Sequence, residues 1–171
     1  MLRTLGAVCI VLSASAAGFG FAAGIRVQLR QLEAFLDALC IMKSEIELRL
    51  TPLVEVFRLL EASPERAVGA FFGVCRERLE RGDCLSLTGV FSDAARAVPQ
   101  LRLSGRSLRT LGSLALCLGK FDLLGQSRAI DLAAERLKQE RDTLRAGARQ
   151  RAGSYGALGV CAGLAAVILL I

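Results

Sequence analysis

The side chains in this sequence that could do chemistry are carboxylates and thiols, because the chain has no histidine. Without imidazole, neither histidine-containing metal sites nor an acid-base relay through histidine is available. Two pairs of acids stand at close spacing, Glu45 with Glu47 and Asp131 with Glu135. Paired carboxylates act as general acid and base when their surroundings drive their pKa values apart. On helices such pairs are ordinarily a solvated face, and neither pair is expected to be catalytic. The six cysteines, at 9, 40, 75, 84, 117 and 161, include no CxxC, and even Cys75 and Cys84 are nine residues apart. They read as small buried hydrophobes in a reducing compartment rather than as a redox, zinc or disulfide framework. Leu118-Gly119-Lys120 lacks the first glycine and the Ser/Thr of a phosphate loop, and GxSxG, HExxH and a GxGxxG after a strand are absent. No catalytic, cofactor-binding or metal-binding residue is expected, and no small-molecule substrate. The chemistry points to a protein that works by contact.

The elements that would position such contacts begin with the charge distribution. Of 171 residues 53% are apolar and the net charge is +6, yet Arg3 is the only charged side chain before Arg26 and none follows Arg151. The ionic residues therefore belong to the middle of the chain. A basic excess can serve nucleic acid, but one tyrosine, no tryptophan and no dense basic run speak against that partner.

From Thr4 to Gly24 no side chain is charged, which as a helix spans about 31 Å and matches a bilayer core. Residues 154–171 give a second uncharged stretch of about 27 Å, the minimum for a span. For the first stretch a cleaved signal peptide is the rival reading, since Ala14-Ser15-Ala16 resembles a cleavage site. A retained helix is favoured because the apolar character continues to Ala23. The inner flanks carry Arg26, Arg30, Arg145, Arg149 and Arg151, so the positive-inside rule puts the middle in the cytoplasm. Small residues four apart, Ala14 with Gly18, Gly20 with Gly24 and Gly159 with Gly163, would let spans approach closely. The expected organisation is 1–24 as transmembrane helix 1, 25–153 as a cytoplasmic helical domain, and 154–171 as transmembrane helix 2.

Within the middle, Ile25, Leu29, Leu32, Leu36, Leu39, Ile46 and Leu50 follow one heptad register, with Lys43 as its single break. Thr51-Pro52 should end that helix and open another, with Thr51 as N-cap and Pro52 in the first turn. Ser63-Pro64 repeats the signal and opens a helix that Gly82 ends. A fourth helix is expected from Ser86 to Val98, stopped by Pro99, and a fifth from Ser104 to Leu118 with Gly119 at its C-terminal left-handed position. After Asp122, Ile130, Leu137 and Leu144 recur at intervals of seven, and no proline interrupts the rest of the chain. The expected fold class is all-α, an antiparallel helical bundle flanked by two transmembrane helices.

Several fragments resemble a known family: Met1-Leu2-Arg3 with Leu5-Gly6-Ala7-Val8; Gln28-Leu29-Arg30-Gln31-Leu32 after Arg26; Glu45-Ile46 before Thr51-Pro52-Leu53; Leu118-Gly119, Asp122 and Gln126; and Val167-Ile168-Leu169-Leu170. In order and spacing this resembles the stage III sporulation protein AB family over essentially the whole chain. Arg49, Leu50 and Phe121 depart from the family pattern. The resemblance implies a helical domain like that of the type II secretion F protein. It also implies a place in the channel complex between mother cell and forespore, in the outer forespore membrane. The partners it implies are a secretion-type ATPase, stage III sporulation protein AA, other membrane subunits of the channel, and the lipid bilayer. Thr51 and Pro52 are then a structural turn, while Gly119, Asp122 and Gln126 are candidate partner-binding residues. Helix caps alone are sufficient to explain Gly119 and Asp122, and for these two residues the structural reading is favoured. Two other functions compete: a membrane enzyme using its carboxylates, which would need polar residues inside the spans, and a tethered adaptor that binds anionic lipid or another protein.

Overall fold

A computed structural model of the chain is all-α. Its helices are α1 (Leu2–Arg49), α2 (Leu53–Glu61), α3 (Arg66–Arg81), α4 (Leu87–Ala97), α5 (Gly105–Leu118) and α6 (Leu123–Leu170). The structure describes the backbone of residues 2–82, 86–118 and 123–170, and the side chains of 23–82, 86–118 and 123–148. The chain divides into two units, Met1–Arg26 with Asp142–Ile171, and Val27–Arg141. In the first unit the described backbone is helical. Among the described residues no helix is long and apolar enough to cross a membrane. The stretches marked above as spans, 4–24 and 154–171, lie outside the described side chains except for Ala23 and Gly24.

The core of Val27–Arg141 is built on five phenylalanines. Phe71 meets Phe35, Phe72 and Phe91 edge to face, with ring centroids 5.3 to 5.4 Å apart, and Phe57 joins through Phe72 and Phe91. Four helices, α1 to α4, thus share one aromatic cluster, each pair adding roughly 0.5–1.5 kcal/mol beyond its area. The buried stripe of α1 is Leu32, Phe35, Leu39, Met42 and Ile46. The heptad positions at 32, 39 and 46 are those expected, but the alternate positions shift from Leu36, Lys43 and Leu50 to Phe35 and Met42. Lys43 is therefore no break in the seam. It lies beside the seam, where Nζ donates to both carboxylate oxygens of Asp131 on α6 at 2.8 and 2.7 Å. On α6 the inward side chains are Ser127, Ile130, Ala133, Leu137 and Glu140, and Leu144 is only half-buried.

Local signals set the shorter helices. Gly82 takes the left-handed conformation at φ 69° and closes α3. Ser86 caps α4 by accepting from the Gly89 N–H at 3.2 Å, and Pro99 follows its end. Ser104 Oγ accepts from the Arg106 and Ser107 N–H groups at 3.0 and 3.1 Å and so opens α5. At the start of α3, Glu65 rather than Ser63 or Pro64 holds the N-cap position, its carbonyl accepting from Val68 and Gly69.

The α4–α5 connection is fastened to both chain ends of this unit. Gln31, 1% exposed, donates from Nε2 to the Gln100 carbonyl at 2.8 Å and accepts at Oε1 from the Arg102 N–H at 2.6 Å. Glu140 on α6 accepts from Ser104 Oγ and from Ser107 Oγ, the latter at 2.9 Å. The chain therefore enters and leaves Val27–Arg141 at one end, here termed the stem end. The α1–α2 turn, the end of α5 and the start of α6 lie at the other, about 27 Å along α1.

Candidate functional site

The end away from the stem is shaped by the way α1 stops. Leu50 has φ 54°, and the Thr51 N–H reaches back to the Glu45 carbonyl at 3.1 Å, the hydrogen bond that closes a helix through a left-handed residue. Leucine is costly there, since only glycine adopts this conformation without strain. Glu45, nearly buried, then gathers the turn: Thr51 Oγ1 donates to its Oε2 at 2.8 Å and Arg49 pairs with its Oε1 at 3.2 Å. Thr51 consequently does not cap α2. Pro52 occupies that position, without a side-chain cap, and its carbonyl accepts from Glu55 and Val56.

Across from this turn, Leu118 ends α5 in the core and Leu123 begins α6. Ser127 Oγ donates to Glu47, and Lys43 lies between Glu47 and Asp131, so polar contacts hold α6 on α1. The hydrogen bond to Asp131 raises the Lys43 pKa, keeping the ammonium charged. Between the α1–α2 turn and the start of α6 is an open groove of about 220 Å³ lined by Ile46, Leu50, Thr51, Leu53, Leu123 and Gln126. Two of its leucines are exposed, Leu50 at 65% and Leu123 at 48%.

The groove brings together Thr51 and Gln126, with exposed Pro52 adjacent in sequence. Gly119 and Asp122 lie outside the described residues. Leu50 and Leu123, which dominate the groove, were not among the expected partner-binding residues. The signal for Leu50 was its own oddity, a large apolar side chain immediately before Thr-Pro. Three of the four carboxylates considered for acid-base work have structural partners, Glu45 with Thr51 and Arg49, Glu47 with Ser127 and Asp131 with Lys43, while Glu135 is exposed. Cys40, Cys75 and Cys117 are free, and burial pushes the Cys75 thiol well above its usual range, which makes it inert. A groove of aliphatic walls with one hydroxyl and one amide is suited to holding an apolar side chain of a partner.

A sequence model of the family described as stage III sporulation protein AB matches residues 3–171. The chain is 28% identical over 171 residues to stage III sporulation protein AB of Bacillus subtilis (strain 168), covering 99% of each chain. A solved structure of a stage III sporulation protein AB superposes with a TM-score of 0.66 at 21% identity, covering 72% of this chain and 97% of that one. At that identity the superposition speaks for the fold.

Proposed function

The chain belongs to the stage III sporulation protein AB family, and on that premise we propose that it is a non-enzymatic membrane platform of a secretion-like channel between mother cell and forespore. The family match is the observation that carries this reading, because it runs from residue 3 to residue 171 and so includes both apolar end segments as well as the bundle. In this reading 4–24 and 154–171 anchor the protein in the mother-cell (outer forespore) membrane. The bundle then lies in the cytoplasm. The groove at Leu50, Thr51 and Gln126 receives an apolar side chain of a secretion-type ATPase, stage III sporulation protein AA. Supporting this are the exposed leucines of the groove.

The experiment is co-purification of the ATPase with the full-length chain from detergent extracts of sporulating cells. Leu50→Asp and Gln126→Arg should lose the ATPase, while Arg66→Ala, an exposed position at the start of α3, should keep it. An ATPase that stays bound to both groove variants, or that never co-purifies with the parent chain, refutes docking at this groove.

A further inference from the structure

The bundle has two side faces of opposite charge, each with an apolar groove, and we propose that these faces join copies of this chain head to tail. The α1–α2 face carries Asp37, which takes part in no ion pair among the described residues. Its groove, about 140 Å³, is lined by Ala34, Asp37, Ala38, Ile41, Leu59 and Pro64. Ile41 and Leu59 are about half exposed, and Asp37 is exposed beside them. The α4–α5 face has the reverse sign, because residues 94–118 contain four cations and not one carboxylate. A groove of about 380 Å³ runs along it, floored by Phe91, Leu108 and Leu111 and opened by the missing side chain of Gly112. Arg96 and Arg109 are exposed on its rim, and among the described residues neither takes part in an ion pair. In its wall Thr88 Oγ1 is shut off from solvent with no hydrogen-bond partner among the described residues.

Charge complementarity selects the occupant. Like faces repel, since pairing two basic grooves or two acidic ones juxtaposes equal charges. Unlike faces attract, and each offers aliphatic side chains for the other's groove. The two grooves share no residue. A contact between them is therefore heterologous and leaves one free face on each copy, so association continues until a ring closes or a chain extends. Asp37 would meet Arg96 and Arg109. The groove at Leu50 and Gln126 is left uncovered by this contact, so self-association stands apart from ATPase docking.

The test is the mass of the full-length chain in detergent micelles, read by native mass spectrometry over a concentration series. The parent chain should form species larger than a monomer. Raising ionic strength from about 0.1 to about 1 M, which shortens the Debye length from roughly 10 to 3 Å, should dissociate them. The double variant Arg96→Glu with Arg109→Glu, and the single variant Asp37→Arg, should each associate at least about tenfold more weakly. Mixing the two should restore assembly, because each supplies the face the other needs. Gly112→Leu fills the basic groove without touching charge, and a Cβ at 112 meets nothing within 4 Å, so the bundle tolerates it while association falls. A parent chain that is monomeric throughout the series, or that grows only when another protein is added, overturns the proposal. Assembly that is indifferent to salt, to the charge reversals and to Gly112→Leu also overturns it.

Discussion

Gly69 on α3 faces the last turn of α2 so closely that a Cβ placed on it would lie 2.6 Å from the Glu61 carbonyl oxygen. That atom is backbone and cannot swing aside, so the helices would have to separate. Gly69→Ala should destabilise the protein by about 1–3 kcal/mol, despite alanine's better helix propensity. Gly112→Ala is the control, since its Cβ enters open space, and it should stabilise by about 0.5–1 kcal/mol. Denaturant midpoints of the two variants check both signs, and equal midpoints would contradict the packing argument.

Leu50 invites the opposite experiment. With φ 54° and most of its side chain in solvent, it holds a left-handed position at a cost and has little packing to offset it. Leu50→Gly should raise stability by about 1 kcal/mol, and Leu50→Val should lower it. If the side chain is the anchor for a docked ATPase, the glycine variant is both more stable and defective in co-purification. A denaturation curve and a pull-down on the same variant separate the two effects.

Acid should loosen the α2–α3 contact. The Arg76 guanidinium beside Glu80, with Arg58 on its other side, holds the Glu80 carboxyl below its usual range. A carboxyl depressed in the folded state stabilises the fold above its unfolded pKa, and that contribution is lost as pH falls through the lowered folded value. Glu80→Gln should therefore melt below the parent at neutral pH, with the gap closing below about pH 4. Thermal melts across that range give the answer, and a gap unchanged in acid would show that the ion pair is not its source.

Topology is best read at Cys40, which is exposed, rather than at buried Cys75. In a variant whose only cysteine is Cys40, an impermeant thiol reagent should fail to label intact cells and should label permeabilised ones without denaturation. Labelling of intact cells would place the bundle outside the cytoplasm.

The helices from α2 to α5 were legible because their punctuation is strong: Pro52, Gly82, Ser86, Pro99 and Ser104 each leave few conformations for the chain. Thr51 was misread because a threonine before proline has two outlets for its hydroxyl. Only the fold shows that Glu45, six residues earlier, is nearer than the next helix. The α1 seam was half legible. Leu32, Leu39 and Ile46 are fixed by the interval of seven, but Phe35 and Leu36 are both apolar, so the alternate position depends on which side α2 and α3 pack. The lysine at 43 was the available clue, with Met42 beside it. Gln31 was quoted only as part of a motif. Its clamp on Gln100 and Arg102 could not be foreseen, because nothing in a sequence marks two backbone groups some 70 residues away as its partners. Of the groove residues, Gln126 was named from the sequence as a partner-binding candidate and Thr51 only as part of a turn, whereas Leu123, whose exposure follows from the packing of α6, was not named.

The fasteners of α1 have a temporal order. Neighbouring helices from α2 to α5 meet their partners almost as soon as they are made, whereas Gln31 waits for Gln100, and Lys43 and Glu47 wait for Asp131 and Ser127. At a synthesis rate of about 5–20 residues per second, the 88 residues between Lys43 and Asp131 take roughly 4–18 s to translate. During that interval the α1 seam can collapse only onto the phenylalanines of α2 to α4. Closure by α6 is the long-range step, which makes it the slow one in folding. A ribosome stalled before residue 127 would hold a bundle with its aromatic centre assembled and one flank still open.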